Sequence, residues 1–230
     1  MTVEDYQAGQ ILLIDKPLGW TSFQVVNKVR WLIRKQFSIK KIKVGHAGTL
    51  DPLATGLLII CTGKFTKQID TYQAQQKEYT GTITLGATTP SYDLETEVDQ
   101  TFDISGITSE MIHETSQKFI GEIQQRPPVF SALKKDGKRL YEFARAGEQV
   151  DVPTRTVTIS AFEIPQIELP NVDFRVACSK GTYIRSLAHD FGKALENGGH
   201  LSSLRRTRIG NFSVDDAITL ENFEKTLTNS

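Results

Sequence analysis

The apolar residues fall into runs and periods that mark out most of the elements. Ile11 to Asp15 is short and apolar, the pattern of a buried strand, and Lys16-Pro17-Leu18-Gly19 follows it as a turn. Val25, Val29, Leu32 and Ile33 then recur at helical spacing. Thr21 and Gln24 fit a capping box at the start of that helix, and Arg34-Lys35 suits the negative end of its dipole. Val44 to Gly63 opens with Gly45 and Gly48, which tolerate backbone angles other residues avoid. It ends in the apolar run Leu57 to Cys61, which predicts an interior strand.

Tyr79 to Leu85 sets Thr80, Thr82 and Thr84 against Tyr79, Gly81, Ile83 and Leu85, the two-residue period of a strand. Ser109 to Ile120 predicts a helix that stops at Gly121. Arg126-Pro127-Pro128 begins an irregular basic segment, with a turn at Asp136-Gly137 and a short helix over Lys138 to Ala146 closed by Gly147. Val157 to Ile167 and Val172 to Cys178 predict two strands joined around Pro165 and Pro170. Thr182 can then cap a helix with Ile184, Leu187, Ala188, Phe191 and Leu195 inward, ended by Asn197-Gly198-Gly199. A strand-like Asn211 to Val214 and a helical tail, Leu220 to Leu227, complete the chain. Because several strands follow one another directly, the expected fold class is mixed α/β (α+β), with a largely antiparallel central sheet flanked by helices and loops.

The 230 residues, 39% hydrophobic and 23% charged, predict an ordinary soluble globular protein with one dominant core, taken as a single domain over 1–230. No apolar run is long enough for a membrane helix and the N-terminus lacks signal-peptide features, so a cytoplasmic location without membrane contact is expected. Cys61 and Cys178 sit among apolar residues in strand-like segments, as buried thiols do, and too few ligands are closely spaced for structural zinc.

Formal net charge is zero, which by itself argues against a nucleic-acid binder, but the charges are segregated. Lys16 to Leu50 holds many lysines and arginines and no Asp or Glu, whereas Asp93 to Glu122 is acidic apart from Lys118. Further basic blocks lie at Lys134 to Arg145 and Lys180 to Arg208, so folding could gather them on one face. On its own, such a run is usually solvated surface.

The densest candidate for chemistry is Gly45-His46-Ala47-Gly48-Thr49-Leu50-Asp51-Pro52-Leu53-Ala54-Thr55-Gly56. Pro52 biases Asp51 away from helix, so its carboxylate sits on a shaped loop leading to a buried strand. Taken alone, an Asp before Pro in a glycine-rich loop is usually a turn residue, and spacing does not decide the matter. The whole stretch, however, resembles the GHxGxLDPxAxG signature of the TruB family of tRNA pseudouridine-55 synthases. Asp15-Lys16-Pro17-Leu18-Gly19-Trp20-Thr21-Ser22 resembles that family's DKPxGxTS element, and Cys178-Ser179-Lys180-Gly181-Thr182-Tyr183-Ile184-Arg185 its CSKGTYIR element. Arg126-Pro127-Pro128, Ser131-Ala132-Leu133-Lys134 and Arg139-Leu140-Tyr141 resemble its RNA-gripping thumb, about 124–152. The likeness runs in order from about Ile11 to about Ala217.

The resemblance implies Asp51 as the catalytic carboxylate, Arg185 as its ion-pair partner, and Tyr79 as the aromatic that stacks on the target base, with a share in removing its C5 proton. It implies His46 in displacing the target nucleotide, Tyr183 and Leu204 in lining the uracil pocket, and Lys16 in structural support or a phosphate contact. Lys180 belongs with the RNA-binding residues. Uridine becomes pseudouridine by breaking the N1–C1′ bond, turning the base, joining C5 to C1′ and losing the C5 proton. A carboxylate beside an arginine suits that chemistry, and neither metal nor organic cofactor is expected. The partner is tRNA, met by base flipping in the T-loop, and no obligatory protein partner is expected of what should be a monomer.

Family members often carry a further C-terminal domain of the PUA type, and none fits before Ser230. Weaker or more salt-sensitive tRNA binding is therefore expected. Two rivals stand beside the isomerase. One is a non-catalytic tRNA-binding or tRNA-folding module of the same fold, against which Asp51, Tyr79 and Arg185 occur together. The other is a serine acyl-transfer enzyme, since Ser131 to Lys134 fits S-x-x-K, but Lys180-Gly181-Thr182 has the wrong order for K-T-G.

Overall fold

The computed structural model describes every residue except Ala132, Asp136, Gln149, Asn229 and Ser230. Ala132 of the thumb-like segment and Asp136 of the expected Asp136-Gly137 turn thus lie outside the described residues.

In chain order the elements are α1 (Val3–Ala8), β1 (Ile11–Lys16), α2 (Ser22–Gln36), β2 (Val44–Ala47), β3 (Ala54–Thr62), a 3-10 turn (Gly63–Gln68) leading into α3 (Ile69–Gln73), and β4 (Lys77–Leu85). Next come β5 (Ala87–Thr88), β6 (Gln100–Thr101), α4 (Ser109–Gln117), β7 (Gly121–Gln125), β8 (Lys134–Lys135), β9 (Lys138–Arg139) and α5 (Leu140–Arg145). The last elements are β10 (Arg155–Glu168), β11 (Asn171–Cys178), α6 (Ile184–Ala194), β12 (Gly199–Ile209), β13 (Phe212–Ser213) and α7 (Leu220–Thr228). The chain forms two compact units, Met1–Tyr79 with Leu204–Ser230 and Thr80–Ser203, and the division falls within β4 and β12.

In the first unit β3 is the central strand. β1 runs antiparallel along one edge, from Ile11 opposite Cys61 to Lys16 opposite Gly56. The other edge is shared: β2 pairs antiparallel over Val44 to Ala47, and β12 pairs parallel with Leu204 opposite Ala54. One face packs Leu12, Ile14, Leu58 and Ile60 against Val25, Val29 and Ile33 of α2 and Phe223 of α7. The opposite face collects Leu57, Ile59, Cys61 and Ile209. Burial on both faces is why β3 reads as a continuous apolar run rather than an alternation. Both predicted features of α2 are present: Thr21 caps it in a capping box with Gln24, and Arg34 and Lys35 occupy its last turn.

The second unit holds a run of neighbouring strands in the order β4-β11-β10-β7, with β10 antiparallel to both β11 and β7. Phe162, Phe174 and Phe191 meet there edge-on, the orientation favoured by the ring quadrupole. Antiparallel pairing predominates in both units, as expected for the α+β class.

Several expected boundaries shift. The helix from Ser109 ends at Gln117, and Gly121, at φ +105°, opens β7 instead of closing the helix. β10 carries on through Pro165, where the register with β11 slips between Glu163 and Gln166, so a bulge absorbs the missing donor. Thr182 does not cap α6. Tyr183 holds that position, while Thr182 Oγ1 donates to Ser179 O at 3.0 Å. Lys138 and Arg139 pair with β8, and the helix before Gly147 spans Leu140–Arg145. Cys61 and Cys178 are free, buried thiols as predicted.

On α6, burial pushes the Asp190 carboxyl up to about 6, against a downward pull from Lys193. The folded state therefore holds this proton more tightly than the unfolded chain. Stability from the group is present at low pH and is lost as pH rises through about 6. Asp190→Asn should thus match the parent near pH 4 and exceed it by about 1 kcal/mol at pH 7.5, after allowance for partial exposure. Urea midpoints at the two pH values test this, and an equal effect at both would refute the assignment.

Candidate active site

Asp51 lies between β2 and β3, and its backbone is tied down on both sides. Leu50 N donates to Ser22 Oγ at 2.8 Å, and the same hydroxyl donates to Leu50 O at 3.1 Å. Ser22 is the buried first residue of α2, so the box that starts the helix also aims this hydroxyl. On the other side, Ala54 N donates to Asp51 O at 3.1 Å, and Gly19 N donates to Pro52 O at 2.8 Å. Gly19 adopts φ +79°, a conformation open to glycine without strain.

Lys16 is fully buried, and its Nζ donates to Trp20 O at 2.6 Å and Pro17 O at 2.9 Å, with Pro52 O at 3.4 Å. One ammonium thereby joins the turn after β1 to the loop of Asp51. Burial lowers its pKa to about 8, the Asp51 carboxylate opposes that fall, and Arg206 adds to it. Asp15, one residue earlier, takes a two-pronged ion pair from Arg205, with Nη1–Oδ1 at 3.0 Å and Nη2–Oδ2 at 2.7 Å.

Arg206 is the largest fully buried side chain of the described residues. Its Nε donates to Leu57 O at 2.8 Å and its Nη2 to Gly48 O at 3.0 Å, bracing the glycine-rich loop against β3. His46 stands in β2, where a plain loop was expected. Burial pushes its imidazole pKa down and Arg206 adds to the fall, while the Gly48 backbone pulls the other way, so the ring is neutral at pH 7. Tyr79 is buried near the start of β4, and Leu204 is half-buried at the start of the parallel pairing with β3.

The second unit contains the other expected residues. Gln125, fully buried, accepts from Tyr183 N at 2.8 Å and donates to Tyr183 O at 3.0 Å, which fixes the entry to α6. The Arg155 guanidinium lies 5.1 Å over the Tyr183 ring. Arg185, in the first turn of α6, is buried: its Nη1 donates to Ser91 O at 3.2 Å and its Nε lies 3.6 Å from the buried Asp93 carboxylate. Glu95 N donates to Asp93 Oδ1 at 2.9 Å. Lys180 is exposed on the turn after β11.

The structure thus collects Lys16, His46, Asp51, Tyr79 and Leu204 in one unit and Lys180, Tyr183 and Arg185 in the other. Ser22, Asp93, Gln125 and Arg206 support them and were not singled out from the sequence. Ser22 carried a signal, since it closes the DKPxGxTS element. Arg206 was hidden in the basic run Arg205 to Arg208, where a buried arginine looks like a surface one.

Ser22→Ala should leave the buried Leu50 N–H without its acceptor and cost about 1–3 kcal/mol of stability, with reduced turnover. Urea unfolding and a rate assay on the variant check both effects. A variant as stable as its parent would show that this hydroxyl does not hold the loop.

Among the described residues no helix is long and apolar enough to cross a membrane, and no three His, Cys, Asp or Glu side chains are grouped to hold a metal ion.

Comparison with known proteins adds a family. The TruB family pseudouridylate synthase N-terminal domain matches residues 34–184, and the tRNA pseudouridylate synthase B C-terminal domain matches residues 185–230. A protein of Flavobacterium johnsoniae named tRNA pseudouridine synthase B is 63% identical over 99% of this chain and 100% of its own length. One of the same name from Phocaeicola vulgatus is 54% identical over 97% of this chain and 95% of its own. Among solved structures, a chain of a Cbf5-Nop10-Gar1 complex superposes with TM-score 0.72 at 34% identity, covering 98% of this chain and 56% of that one. A chain of an H/ACA RNP bound to a substrate RNA containing 2′-deoxyuridine gives TM-score 0.70 at 31% identity, covering 98% and 55%. The present chain spans about half the length of these two.

Proposed function

Because this chain belongs to the TruB family of pseudouridylate synthases, we propose that it isomerises uridine to pseudouridine in the T-loop of tRNA, with Asp51 as the reacting carboxylate. One observation carries the assignment of Asp51: its loop is clamped through Leu50, Asp51 and Pro52 by Ser22, Ala54, Gly19 and Lys16. A carboxylate on a pinned backbone needs little reorganisation to meet C1′.

In the reaction, the N1–C1′ bond breaks as Asp51 attacks or stabilises C1′, the freed uracil turns, C5 joins C1′ and displaces any carboxylate bound there, the C5 proton leaves and N1 takes up a proton. Every atom of the uridine except that exchanged proton is retained, so no oxidant or hydrolytic water is consumed. Arg185 serves as the cation for Asp51, and Tyr79 provides the stacking face for the base. Tyr183 and Leu204 bound the uracil, neutral His46 acts in displacing the nucleotide, and Lys180 meets backbone phosphate. Lys16 acts as structural support, its ammonium being occupied by carbonyl groups.

A polyanionic substrate is supported by the first unit. A cavity of about 690 Å³ there is lined by Arg30, Arg34, Lys40, Lys41, Lys43, Lys64 and Lys67, with no acidic residue among its lining. Such a cluster holds phosphates and makes affinity fall steeply with salt.

The test is tritium release from unmodified tRNA labelled at uridine C5, alongside chemical mapping of pseudouridine. Release confined to the T-loop uridine is the expected result. Binding without release would leave a tRNA-binding module and overturn the isomerase assignment.

A further inference from the structure

An apolar strip that the core does not use lies beside the loop of Asp51. Leu18 is 63% exposed, Trp20 37%, Phe23 64% and Leu53 38%. Single exposed apolar side chains are ordinary, but these four sit on two segments tied together by Gly19 N to Pro52 O and by Lys16 Nζ to Trp20 O and Pro52 O. They are held in place and left uncovered. Phe23 also begins a stripe on α2: Arg30 and Arg34 follow at i+7 and i+11, within about 20° of it around the helix and up to about 17 Å along it. Both arginines line the cationic cavity, and no Asp or Glu occurs between Lys16 and Leu50.

Resting on the isomerase assignment, we propose that Trp20 and Phe23 form a stacking platform for the unpaired bases that flank the target uridine. Displacing a nucleotide removes a stacking partner from each neighbour, and flat apolar rings on the segment tied to the loop of Asp51 restore that contact. The charge pattern selects nucleic acid over protein as the occupant. Flat bases suit the aromatic end of the stripe and phosphates the arginine end, whereas an apolar protein anchor would have no use for an acid-free cationic continuation.

The full chain carrying Trp31→Phe retains Trp20 as its one tryptophan, since the sequence has only two. Titration with unmodified tRNA transcript should quench its fluorescence. The double change Trp20→Ala/Phe23→Ala should raise the Kd for that transcript about tenfold or more, as loss of base stacking does. Trp20→Phe/Phe23→Tyr, which keeps flat rings, should restore most of the affinity. A transcript abasic on both sides of the target uridine should bind the parent more weakly by a similar factor and bind the Ala variant no worse than the intact transcript does.

Additive losses in that cycle, or a Kd unchanged by the Ala changes, would overturn the proposal. So would a strip that mediates self-association in sedimentation without affecting tRNA binding. These readouts need no turnover, so absent tritium release with the quench intact would bring down the isomerase assignment alone.

Discussion

Asp51→Asn is expected to bring pseudouridine formation below about a thousandth of the parent rate while leaving tRNA affinity within a few-fold. The change is nearly isosteric. The bonds that shape the loop involve the backbone of Leu50, Asp51 and Pro52, and none of these is altered by the side-chain amide. Lost with the charge is a nucleophile able to meet C1′, and an amide cannot replace it. The cationic cavity proposed to hold the phosphates lies on other segments, so binding should persist. A filter-binding curve measured beside C5 tritium release separates the two properties. Turnover by the variant at even a tenth of the parent rate would remove Asp51 from the proposed role.

Replacing Arg206 should have the largest effect on stability. Arg206→Met keeps the bulk of the side chain but removes donors to Leu57 O and Gly48 O in a site closed to water, for an expected loss of about 2–4 kcal/mol. A second readout distinguishes charge from geometry. Arg206 helps depress the His46 pKa, so the methionine variant should move the His46 titration upward, whereas Arg206→Lys should keep most of the depression yet still lose stability. Urea unfolding and the pH dependence of the His46 ring signal by NMR report the two effects. A His46 titration unmoved by either change would mean that this charge does not act on the ring.

The glycine-rich stretch around Asp51 stands out in the sequence because its determinants are local. Gly19, Gly48 and Pro52 punctuate the chain at fixed offsets, and Thr21 with Gln24 announces the start of α2 directly. β3 was equally plain, since a strand covered on both faces needs apolar residues at every position. β12 was missed for the opposite reason. Its residues Leu201 to Ile209 alternate neither in polarity nor in burial, because Arg206 is buried and Arg205 is partly buried through its pair with Asp15. β2 is not legible in the sequence because Val44, Gly45, His46 and Ala47 have little strand character apart from their pairing to β3. α1, capped by Thr2 and Asp5, spans only six residues, too few for a helical period to show in the sequence.

The sequence by itself determined the family likeness, the elements with strong periods, the segregation of charge and the identity of the candidate carboxylate. Each of these is encoded by neighbours within a few positions, where backbone preference and spacing act directly. Only the tertiary structure decided which polar residues are buried and what they hold. Lys16 reaches Pro52, Ser22 reaches Leu50, Arg206 reaches Gly48, and Gln125 reaches Tyr183 across separations of 36, 28, 158 and 58 residues. The physical reason is that a buried donor must find an acceptor wherever packing provides one, and packing is set by the whole fold.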